Sequence, residues 1–155
     1  FNSCESLVKG PEVHPIDYAN ACPDVAVTSL HYYFPWAMAA LLRWTIFCVV
    51  TGRKPRLDTD TSAYFQVADD TSLSYAEKLV QYRRLADEYF EEERYREFCG
   101  KHLAHVDEIV HEWVASAEFR GLLGETVRAM YPPHEHERFL GHFGGLIDAW
   151  LRDTA

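Results

Sequence analysis

Residues Thr28 to Thr51 read TSLHYYFPWAMAALLRWTIFCVVT, twenty-four positions at which Arg43 is the only charged side chain. A stretch this apolar belongs in a core or in a bilayer. The run from Pro35 to Arg43 is too short to span hydrocarbon, and Arg43 falls mid-segment. The spacing therefore predicts a central buried helix that begins near Pro35, where a proline is tolerated in the first turn. Its apolar side chains point nearly all round, which suits a buried position and equally a dimer seam. Gly52, Arg53, Lys54, Pro55 and Arg56 end it, with cations at the negative end of the helix dipole and Pro55 blocking continuation.

Around that helix the totals describe an acidic globular chain. At 155 residues it fits one domain and can bury about two-thirds of its unfolded surface. Hydrophobic residues make up 48%, with 4 Trp, 9 Tyr and 9 Phe, so a packed core is available and disorder is expected only at the ends. The net charge of -9 is uneven: residues 1–60 carry 5 basic and 6 acidic side chains, residues 61–155 carry 10 and 18. With no basic stripe, nucleic acid and anionic membranes are disfavoured partners.

Cys4, Cys22, Cys48 and Cys99 show no CxxC or zinc-ribbon spacing and read as free thiols, with a Cys4 to Cys22 bridge as the alternative in an oxidising compartment. Phe1 to Val13 lacks the basic start and apolar stretch of a signal peptide, and the expected location is cytoplasmic.

Residues 1–27 hold Gly10, Pro11, Pro15, Asn20, Pro23 and Asp24 at short intervals and read as an extended arm on a helical domain spanning 28–155. No strand is predicted. After the central helix a loop is expected to about Ser72; within it Asp58, Asp60, Ser62 and Asp69 fall in a calcium-loop register. Ala63 stands where that register needs glycine and Asp69 where it needs a longer Glu, so a polar loop is the expectation. A long amphipathic helix, capped by Thr71 or Ser72, should run to about Phe98 with Tyr75, Leu79, Tyr82, Leu85, Ala86 and Tyr89 along its inner face. Gly100 breaks it. A helix of about 17 residues follows from Lys101, then a short one flanked by Gly121 and Gly124, and a last one from His134 to Arg152 beyond the Pro132–Pro133 stop. The fold class predicted is all-α, a single-domain bundle of about five helices.

Chemistry concentrates where the histidines do. Six of eight lie between His102 and His142, among carboxylates. On a continuous helix from Lys101, His105, Glu108 and Glu112 share one face, with His111 and His102 flanking it. Glu108 and His111 form the E-x-x-H pair of dinuclear bundle sites, but no second copy exists, so two alternatives stand: a mononuclear metal held by His105, Glu108 and His111 with help from His134, His136 or His142, or a solvated stripe of exposed His and Glu pairs. Gly141, Gly144 and Gly145 weaken the last helix by about 0.5–1 kcal/mol each. Either a neighbouring helix or a flat ligand should approach there; His142 with Gly141 and Gly145 would then bind a cofactor such as haem. His31, before the aromatic run Tyr32 to Trp36, is the candidate acid or base. No Ser-His-Asp set, phosphate loop or H-E-x-x-H is present.

Two functions follow as expectations. One is an enzyme or redox protein of small-molecule metabolism, an oxidoreductase by class, using a metal ion or haem. The other is a non-catalytic helical module that binds a protein or a small ligand, with a homodimer as one form.

Overall fold

The computed structural model describes residues 3–20, 24–54 and 60–155, with the side chains of 3–5 and 17–20 set aside. The chain is mostly helical and opens with a β-hairpin. Its residues group into two compact units, 1–38 with 110–155 and 39–109.

The hairpin corrects the expectation that no strand forms. Strand β1 (Ser3–Lys9) pairs antiparallel with β2 (Glu12–Asn20), Lys9 opposite Glu12 across a loop of Gly10 and Pro11. Gly10 has φ 61°, the conformation that two-residue hairpin loops favour and that glycine adopts without strain. The punctuation at Gly10 marked a tight turn between strands. Pro15 is compatible with β2 because this sheet has two strands, each an edge.

In the unit formed by 1–38 and 110–155, a one-turn α1 (Val27–Leu30) leads through a 3-10 turn (His31–Tyr33) into α2 (Phe34–Thr51). The unit also holds the end of α6 (Val106–Ala115), α7 (Ala117–Met130), and α8 (His136–Asp153), the last entered through a 3-10 turn at Pro133–Glu135. Val114, Phe119, Leu123, Val127, Phe143 and Ile147 are buried at helical spacing and form its core. Phe34 lies 5.9 Å from Phe119 and 6.3 Å from Trp113, ring to ring. Helix α7 runs unbroken through Gly121 and Gly124, started by the Ser116 hydroxyl, which accepts from the Phe119 N–H. An N-cap and a buried face outweigh the intrinsic cost of two glycines.

In the unit 39–109 the rest of α2 is followed by α3 (Ser62–Asp69), α4 (Tyr75–Phe90) and α5 (Glu92–His102). Helix α3 occupies residues expected to be loop; of the calcium register, Asp58 lies outside the described residues, and Asp60 accepts from the Ser62 N–H at 2.9 Å at the start of α3. Helix α4 is capped by Ser74, two residues past the expected cap, in a reciprocal box with Glu77. The predicted long helix breaks at Glu91 rather than at Gly100. Glu91 adopts φ 55° and ψ 46°, and its carboxylate is held by Arg53 Nε at 3.1 Å and Arg94 Nη1 at 2.6 Å. Two guanidiniums fix a left-handed joint that propensity does not foretell, while Gly100 sits within α5. The third helix likewise begins at Val106, after a break at Leu103–His105.

Helix α2 is only partly buried. Phe47 is fully enclosed by the rings of Trp44, Tyr95 and Phe98, but Trp36, Leu42, Val49 and Val50 stand 45 to 75% exposed. Within the 39–109 unit Ala39 and Phe47 are buried, while Leu42, Thr45 and Val49 are exposed on the far side of the helix. The stretch Val27–Thr51 has the length and composition of a membrane span, with 22% of its most apolar window buried.

Candidate functional site

His31 stands at the joint between α1 and α2. Its N–H donates to the Val27 carbonyl, closing α1, and its own carbonyl accepts from Phe34. To do both it takes φ 52° and ψ −126°, a region that costs a side-chain-bearing residue of the order of 1–3 kcal/mol. The joint is tied to the far end of α8 by Tyr32, whose hydroxyl donates to Asp153 Oδ2 at 2.8 Å and is held above its usual phenol range by that bond.

This places the His31 ring against α8. Its centroid lies 5.5 Å from that of Phe143 and 6.2 Å from that of His142, the two imidazoles standing edge to face at 78°. Phe143 is buried beneath the pair, and His142 is exposed. Phe139 stacks on Tyr131 with centroids 3.8 Å apart and leans 5.9 Å from Phe143, so a row of rings runs from the imidazole pair to Tyr131. Among the described residues neither His31 nor His142 spends a ring nitrogen on a hydrogen bond or ion pair. His136, by contrast, bonds the Tyr131 carbonyl at 2.8 Å, and His111 contacts the Leu151 carbonyl at 3.4 Å. The sequence separates His31 and His142 by more than one hundred positions; the joint at His31 brings them together.

The predicted metal set is placed differently. His105 lies before α6, its carbonyl accepting from the Ile109 N–H, so it sits at the helix's entrance rather than on a continuous stripe with Glu108. His105, Glu108 and Glu112 are exposed. His111 packs on Trp150, 5.6 Å between centroids, and faces a carbonyl in the last turn of α8, which makes it a C-terminal cap. Among the described residues no group of three His, Cys, Asp or Glu side chains converges on one point.

The three glycines of α8 differ from one another. A Cβ at Gly141 or Gly145 would meet nothing within 4 Å, so neither is required by a close approach of this chain's own atoms. At Gly144 a Cβ would stand 3.5 Å from Arg120 Nη1, which donates to the Gly144 carbonyl at 3.3 Å, while Nη2 pairs with Asp148. A Cβ there would make only ordinary van der Waals contact, so Arg120 lies along α8 by its bonds to the Gly144 carbonyl and Asp148.

In the 39–109 unit Arg53, a residue with no histidine or metal-site pattern around it, is a polar hub. Arg53 donates to the Tyr89 carbonyl at 2.7 Å as well as to Glu91, and its guanidinium lies 4.8 Å over the Trp44 ring. It closes the end of α4. Its signal is the basic cluster after α2, whose position at the helix end points only to capping of α2. Nearby, Arg43, Tyr95, Cys99 and Asp107 line a cavity of about 390 Å³, with Arg43 Nη2 on Asp107 Oδ2 at 2.6 Å. Burial, with the Cys99 thiol beside it, pushes the Tyr95 phenol up to about 12. Cys48 and Cys99 are free thiols; the expected Cys4 to Cys22 alternative lies outside the described side chains.

No protein-family model, curated protein or solved structure matches this chain.

Proposed function

We propose that this chain is a non-catalytic helical module that binds a protein partner through the open side of α2. What carries the reading is the exposure of Leu42 and Val49 on one face of a helix of the 39–109 unit in which Arg43 is the lone charge. Leu42, Thr45 and Val49 follow the i, i+3, i+7 spacing of a helix face made to seat in a partner's groove or against its helix. Apolar side chains exposed in this register mark interaction surfaces. A bilayer suits the same face less well. The positive-φ break at His31 leaves α2 with 18 residues, at the lower edge of spanning length, and Arg43 sits mid-helix in an ion pair.

The test places a photocrosslinking residue at Val49 or, as control, at Glu118, in cells of the source organism. A discrete adduct at Val49 that disappears with Leu42→Lys, in a variant whose helicity is unchanged, supports the reading. Equal adducts at both positions, or indifference to Leu42→Lys, overturn it.

The reading of an enzyme or redox protein retains one favourable observation, the imidazole pair at His31 and His142. A haem at His142 would lie over Gly141 and Gly145, where there is space but where this chain's atoms supply no second wall within 4 Å.

A further inference from the structure

We infer that His31 and His142 together form a two-imidazole site for a borderline transition-metal ion, Cu(II), Ni(II) or Zn(II), whose remaining positions are filled by water. The inference is independent of the α2 surface. With metal–nitrogen bonds of about 2.0–2.1 Å, two imidazoles on one ion have centroids about 4.5 Å apart at a right angle, about 5.2 Å at the tetrahedral angle and about 6.4 Å when trans. The observed 6.2 Å lies near the trans end of that range, and a tetrahedral ion draws the rings about 1 Å closer. Both residues are exposed, so the rings can turn about χ2, a broad torsion in histidine, to aim nitrogens at a shared ion.

Three further features favour this pair over the other histidines. Their ring nitrogens have no hydrogen-bond partner among the described residues, a freedom shared by His102, His105 and His134 but not by His111 and His136, which are committed to carbonyls. Phe143 backs both rings at 5.5 and 5.2 Å and limits where they can swing. The side chain at position 31 persists at a positive φ that glycine would occupy without strain, and retained strain of this kind gathers at binding sites. Imidazole nitrogen is a ligand suited to these ions, and with two protein donors the affinity should follow the order Cu(II) above Ni(II) and Zn(II). Binding requires neutral imidazoles and weakens on acidification.

The full chain is titrated calorimetrically with each metal chloride, and the copper complex is examined by electron paramagnetic resonance. One saturable site is expected, weakened about tenfold or more by His142→Gln or by His31→Asn, since one imidazole then remains. Nitrogen hyperfine structure should fall from two imidazoles to one in either variant, and His105→Gln should change nothing. Unaltered binding in His142→Gln, or a loss in His105→Gln equal to it, overturns the inference. His142 is exposed on α8, so its variant remains informative even if His31→Asn does not fold.

Discussion

Replacing Gly141 and Gly145 by alanine should stabilise the protein. Both lie inside α8, both are exposed, neither has positive φ, and a Cβ at either meets no atom within 4 Å. Each substitution therefore removes the backbone-entropy cost of an interior helical glycine, about 0.5–1 kcal/mol, with no steric penalty in return. The positions are one turn apart without shared partners, so the pair should contribute about 1–2 kcal/mol. For a chain of this size that is a rise in Tm of roughly 2–8 °C. Alanine at Gly10 or Gly52 should do the opposite, costing about 1–2 kcal/mol, because φ is 61° and 64° there. Urea melts followed by circular dichroism, with a thermal melt of the same samples, measure both. Loss of stability in the Gly141→Ala, Gly145→Ala double variant would refute the reasoning, because it would require atoms of the protein against that face. Haemin titration of the same variant bears on the flat-ligand reading: a cofactor lying over the glycines should be displaced by two methyl groups while stability still rises.

Arg53→Ala removes a guanidinium that donates to the Tyr89 carbonyl and lies over Trp44; losing a charged hydrogen bond and a cation–π contact should cost about 2–4 kcal/mol, read from a urea melt, and an unchanged midpoint would count against its role in closing α4. Glu77 is held below the usual carboxylate range by the Ser74 hydroxyl and N–H, so its contribution is complete above the unfolded pKa and lost as pH falls through the lower folded one; helicity lost on acidification should include this term, and Glu77→Ala should shrink it. Tyr95, pushed up to about 12, should be the last tyrosine to ionise in an absorbance titration at alkaline pH, and Tyr95→Phe should delete that final step.

What was legible in the sequence depended on how local its cause was. The last helix and the Pro132–Pro133 stop were readable because a strong 3.6-residue pattern meets a residue that cannot continue it. The break at Glu91 was not, because it depends on Arg53, thirty-eight positions away, reaching the carboxylate of a residue whose own propensity is helical. The hairpin was missed for a related reason: Gly10 and Pro11 were read as breaking helices, when their spacing between Lys9 and Glu12 closes a two-residue loop. Helix α2 was correctly placed but not correctly covered. Composition says that a helix is apolar all round; it does not say how many neighbours are available to bury it.

The candidate site shows the same division. His31 and His142 were each singled out, for different reasons and different roles, and the contact between them rests on a backbone conformation that no residue-type rule assigns to histidine. That conformation is testable without reference to any ligand. His31→Gly and His31→Ala both delete the ring, so lost contacts with Phe143 and His142 cancel between them. What remains is the backbone: at φ 52° and ψ −126° alanine carries a penalty of about 1–3 kcal/mol, offset in part by glycine's larger unfolded-state entropy. Glycine should therefore be the more stable variant by up to about 2 kcal/mol, in melts run side by side. Alanine matching or exceeding glycine would mean that the joint relaxes to negative φ, and a relaxed joint would swing the imidazole at position 31 away from Phe143 and His142, leaving neither the ring pair nor a shared metal between them.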